Sequence, residues 1–222
     1  MYGEAFEITF VILITSVLLS VVITSDFAIT RRESTFFWGI GIWIFSVATL
    51  IEVLFSLSYY SMELAYLYIF LVAFLVQMLA TGSLFLVKSS RYVMAYVLYS
   101  AIADAFLVYS LVVSTTGSLI TNGVFNGSLP VMVTAGSSLV TFLAVIILIV
   151  VSLLSYLRIR NLKLISIILG VIVLSASGSL YIASFPAFLY IGNLIGLTLL
   201  WAGFVDFASI YNITGVKKHV NG

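Results

Sequence analysis

The sequence predicts an all-α polytopic membrane protein: one domain over residues 1–222, crossing the bilayer seven times, N-terminus outside and C-terminus cytoplasmic. Three observations carry this. Apolar runs of about 20 residues, each long enough to span a bilayer, recur along the chain. Only 8% of residues are charged and 63% are hydrophobic, with a mean hydropathy of +1.29; soluble domains carry roughly 25% charge. All nine Lys and Arg residues fall in four places: Arg31 and Arg32; Lys88 and Arg91; Arg158, Arg160 and Lys163; Lys217 and Lys218. Seven spans put these places on one side, which the positive-inside rule assigns to the cytoplasm. Six or eight spans would scatter them.

The first helix is expected at about residues 7–28, closed by Asp26 and the Arg31–Arg32 pair. No basic region precedes its apolar run, so it is expected to be retained rather than cleaved as a signal. The second covers about 36–58, from Phe36, Phe37 and Trp38 to Tyr59 and Tyr60, and the third about 64–87. The fourth, 92–114, holds Asp104 near its midpoint. A stretch rich in turn residues follows at 115–130. The fifth, sixth and seventh helices are expected at about 131–157, 164–183 and 186–209, Pro186 being suited to a helix start. Trp38, Tyr92 and Tyr156 are placed at the inner interface and Tyr59, Tyr60 and Tyr181 at the outer one, as belt residues.

Residues 7–91 and 131–218 share a layout, with 92–114 as the linker of a 3+1+3 parallel repeat. Sliding the third helix onto the seventh aligns Leu67, Tyr68 and Ile69 with Leu189, Tyr190 and Ile191. This arrangement resembles those of several small-solute carrier families and of microbial rhodopsins, as architecture alone. The seventh helix has no lysine, which excludes a retinal Schiff base.

Composition excludes several chemistries. With no cysteine there is no disulfide, thiolate nucleophile or iron–sulfur ligation in this sequence. The single histidine, His219, lies in the C-terminal tail, so no Ser-His-Asp triad, bis-His haem or imidazole zinc site fits within the membrane. No basic stripe with interleaved aromatics exists for nucleic acid. The reading is therefore not an enzyme, with no cofactor, no metal and no nucleic-acid partner.

Candidate sites are the polar side chains inside spans: Asp104 at mid-depth, Glu52 in the outer part of the second helix, and Asp206 near the inner end of the seventh. Gln77 in the third helix and Asn193 in the seventh join them. No basic residue in a span pairs with these acids, and an acid without a counter-ion suits a proton or cation binding step. Asp104 has Ser100, Ala101 and Val108 on its own helical face; Glu52 has Ala48, Thr49, Phe55, Ser56 and Tyr59. Gly192, Gly196 and Gly203 form a small-residue face for helix packing. Asn126-Gly-Ser is a glycosylation triplet in the outer loop, whereas Asn212-Ile-Thr falls inside.

The expected function is a small carrier or channel for an ion or solute in the plasma membrane, with Asp104 as binding or protonation site. The alternatives are a cofactor-free subunit of a larger respiratory or secretory complex and, ranked last, a seven-helix sensor with a separate transducer. Beyond the lipid bilayer, the expected partners are further copies of the chain or the members of such a complex.

Overall fold

A computed structural model describes residues 2–59, 61–87, 90–114, 120–121, 124–125, 129–159, 163, 165–167, 169–170, 172–174, 177 and 186–204. Asn126, Asp206, Asn212 and His219 lie outside these residues, as do Tyr60, Tyr181, Lys88, Arg160, Lys217 and Lys218. The long helices are α1 (Tyr2–Thr30), α2 (Glu33–Ser56), α3 (Met62–Leu84), α4 (Ser90–Val113) and α5 (Val131–Ile159). A shorter apolar stretch, α6 (Ile165–Leu174), and α7 (Pro186–Phe204) follow. Five spans, Phe6–Thr30, Glu33–Ser56, Met62–Leu84, Arg91–Val113 and Val131–Val151, are long and apolar enough to cross a membrane. The chain is built as a multi-pass membrane protein. Between α4 and α5, Ile120–Thr121 pairs antiparallel with Val124–Phe125, a ladder too small to alter the helical class.

The helix ends follow local chemistry. Arg31 (φ 53°) turns the chain after α1, its N–H donating to Phe27 O at 2.9 Å. Ser58 (φ 65°) does the same after α2, with Tyr59 N–H reaching back to Leu54 O at 2.9 Å. Such left-handed residues satisfy carbonyls that the helix leaves open. Ser61 caps α3 by accepting from Leu64 N–H at 3.2 Å.

Along the chain α1 to α5 alternate in direction, so the turn at Arg31 and Arg32, the start of α4 at Arg91 and the end of α5 at Arg158 share one end of the bundle. The most connected helix is α3, which packs on α2, α4 and α5; α1 packs on α2 and α7. One apolar cluster joins Ile12, Leu19, Ile42, Leu79 and Leu197, and another joins Ile51, Phe55, Tyr68, Leu107 and Val140. Large apolar side chains such as Leu18, Ile102 and Phe142 point outward, as lipid-facing positions do.

Trp38, expected at the inner interface, also makes a helix crossing. Its indole N–H turns into α3, toward Leu79 O at 3.1 Å and Ser83 Oγ at 3.3 Å, and its ring meets Phe204 edge-on at 5.0 Å. Trp43 likewise donates to Thr24 Oγ1 on α1 at 3.1 Å, and Trp201 on α7 to Thr15 O at 3.2 Å. All three indoles thus tie one helix to another. In lipid an unpaired N–H is costly, so a carbonyl or hydroxyl on a neighbouring helix serves as well as interfacial water. Tyr59 and Tyr92 are exposed, in keeping with a belt.

Candidate functional site

The site grows from a four-residue spacing on α4. Tyr96, Ser100 and Asp104 fall on one helical face, and that face meets Gln77 of α3. Gln77 is fully buried (0% exposed), Tyr96 is 4% exposed and Ser100 8%, while Asp104 is half-buried. Asp104 interacts with the Gln77 side chain, and the Tyr96 hydroxyl with Ser100 and Asp104. These groups are neighbours, Asp104 pairing loosely with Gln77 and Tyr96 with Ser100, yet none of these pairs reaches the length and angle of an ordinary hydrogen bond. Asp104 Oδ1, both polar atoms of Gln77, Ser100 Oγ and Tyr96 Oη are all buried without a partner. Only Glu52 Oε2 is in the same condition elsewhere among the described residues.

The concentration is unusual for this chain. Helical hydroxyls here normally bond their own backbone: Ser16, Ser20, Ser46, Thr49 and Ser110 each donate to a carbonyl three or four residues earlier. Ser100 does not. Orphaned buried polar groups in native proteins are few, and each has a reason. Asp104 lies 13 residues from one end of the Arg91–Val113 span and 9 from the other, about 20 and 14 Å along the axis at 1.5 Å per residue. It is therefore deep in the apolar zone. Tyr99, whose hydroxyl donates to Leu139 O at 2.7 Å, and Gly136, at which a Cβ would stand 3.2 Å from Leu107 Cα, hold α4 against α5.

Glu52 stands apart. Its Oε1 accepts from the Tyr68 hydroxyl of α3 at 2.6 Å, and the Tyr68 ring packs edge-on against Phe55 at 6.0 Å. Tyr68 and Gln77 are nine residues apart on α3, about 14 Å along the helix. The two acids are thus served by one helix at two depths and form no single site. The same-helix hydroxyls near Glu52 are committed elsewhere, Thr49 to Phe45 O and Ser56 to Val53 O. Its partner comes from across the bundle instead.

Asn193 is buried on α7, and among the described residues no hydrogen bond joins it to either acid. Gly192, Gly196 and Gly203 stand where α7 meets Ser177, Leu174 and Gly170, and Ile167 and Lys163, respectively. A Cβ on Gly196 would lie 2.6 Å from Leu174 Cγ and 3.0 Å from Gly170 O, and one on Gly203 would lie 2.9 Å from Lys163 O. Tyr68 and Tyr96 escape a sequence reading because a tyrosine in a span looks like core or belt. Tyr96 could have been found as the residue two turns before Asp104. Comparison with protein-family profiles, with curated proteins and with solved structures gives no match.

Proposed function

We propose that this chain is a small carrier or channel for an ion or small solute, with Asp104 as its central binding or protonation site. One observation supports the reading above the rest: midway along its span, a half-buried carboxylate without a counter-ion among the described residues meets three buried polar side chains that lack well-formed hydrogen bonds. Intramembrane acids in such surroundings mark ion and solute paths. The full topology we propose has seven crossings and the basic end in the cytoplasm, in keeping with the positive-inside rule. Reconstituted into liposomes carrying H⁺- and Na⁺-sensitive dyes, the protein should conduct under an imposed gradient. Asp104→Asn, which keeps the side-chain volume, should reduce flux to that of protein-free vesicles; equal flux in the variant and the parent overturns the reading.

A second reading has its own observation. Asp104 is half-buried, and Ala101 and Ala105 beside it on α4 are exposed, a small-residue face that lets another helix approach closely. A subunit of a larger membrane assembly would use such a face. It predicts co-purification with partners in mild detergent, and a single monodisperse species of one chain counts against it.

A further inference from the structure

We infer that Asp104, Gln77, Ser100 and Tyr96 form a binding site for one small, dehydrated monovalent cation, a conclusion that deepens the proposed role of Asp104 and rests on it. The donor set comes first. Asp104 Oδ1, Gln77 Oε1, Ser100 Oγ and Tyr96 Oη are four oxygens drawn from two packed helices, and none has a partner at the length and angle of an ordinary hydrogen bond. Oxygen-only ligation suits hard cations. A proton is a poorer guest, because bound to the carboxylate it is shared with one acceptor at a time and leaves the other oxygens alone. A cation among them serves several together.

Charge selects the valence. One carboxylate and one monovalent ion make a neutral complex, whereas a divalent ion would leave a net positive charge in the membrane core. No further acid or base among the described residues is available to offset it: Glu52 is bonded to Tyr68, which stands about 14 Å along α3 from Gln77. Unpaired charge at that depth is heavily penalised. Exposure of the two hydroxyls and the amide is below one-tenth, so bulk water does not compete freely for them.

The test is direct binding of radiolabelled Na⁺ to the purified full chain in detergent, at ionic strength held constant with N-methylglucamine chloride. Saturable binding near one ion per chain is expected, displaced by Li⁺ or K⁺ and not by equal Mg²⁺ or Ca²⁺. Asp104→Asn should weaken it roughly tenfold or more, as loss of a charged ligand does. Ser100→Ala and Gln77→Leu should each weaken it too, and serve if Asp104→Asn fails to fold. Glu52→Gln should leave it intact. No saturable binding in the parent protein, or binding that survives all three site variants, overturns the inference. Binding without flux in the liposome assay would keep the cation site and sink the carrier; flux without cation binding would do the reverse.

Discussion

Gly82→Ala adds a single methyl group and should be among the most damaging small changes in the bundle. Gly82 lies on α3 under the Trp38 ring. A Cβ there would stand 2.6 Å from Trp38 Cδ1, 2.8 Å from Nε1 and 2.9 Å from the main-chain oxygen of Ser34. Packed carbon atoms sit roughly 3.5–4.0 Å apart, so the shortfall is about 1 Å. Moving the indole aside gives up its N–H bond to α3 and its contact with Phe204, and the Ser34 carbonyl cannot swing away on its own. Overpacking costs about 1–3 kcal/mol, an interhelical hydrogen bond in a membrane about 0.6–1.7 kcal/mol, and an aromatic pair about 0.5–1.5 kcal/mol. The expected loss is about 2–6 kcal/mol, depending on how far α2 and α3 can separate. Unfolding of the purified protein in mixed micelles by added SDS, followed by tryptophan fluorescence, measures it. In a Trp38→Ala background the same substitution should cost at least about 1 kcal/mol less, as coupled neighbours do. A Gly82→Ala protein within about 0.5 kcal/mol of the parent would show that the indole does not lie over α3 as described.

The same unfolding assay checks three further expectations. Tyr68→Phe keeps the ring on Phe55 but removes the donor to Glu52 Oε1, and should cost about 1–2 kcal/mol, with Glu52→Gln costing less in that background than in the parent. Gly196→Ala sets a Cβ against Leu174 and the main-chain oxygen of Gly170, so it should cost about 1–3 kcal/mol. Gly39→Ala is the control: its Cβ would meet only Ile23 Cγ2 at 3.6 Å and Thr24 Oγ1 at 4.0 Å, and stability should hold within about 0.5 kcal/mol or rise slightly.

The five long spans were legible in the sequence because lipid imposes a length and a polarity on each of them. The chain punctuates its helices with charges, Pro186 and the turn residues of 115–130. Helix edges moved by a few residues: α2 begins at Glu33, ahead of Phe36, and α3 ends at Leu84 in a 3₁₀ turn, Phe85–Val87. Asp104 and Gln77 were legible for the same reason, being polar where polarity is expensive. Partner choice was not. Helical spacing pointed Glu52 toward hydroxyls on its own helix, but Thr49 and Ser56 donate to backbone carbonyls, a local competition that leaves no hydroxyl proton for the carboxylate. Trp38 was ambiguous because the same amphipathic ring suits an interface or a helix crossing. The deciding feature is Gly82, on another helix and 44 residues away.

The two acids invite one role, and their surroundings assign them different ones. Glu52 has a donor at 2.6 Å whose ring is itself held by Phe55, so one of its oxygens is occupied and its position is set by α3. An acid held this way is well suited to tie α2 to α3, and displacing Tyr68 to admit a guest would sacrifice a bond the fold already uses. Asp104 faces the opposite situation. Its neighbours Gln77, Ser100 and Tyr96 are close, buried and uncommitted, so a guest entering among them breaks nothing and completes several groups together. For the proposed cation, binding energy would be gained without a compensating loss inside the bundle, which favours reversible occupancy at Asp104 and permanent pairing at Glu52.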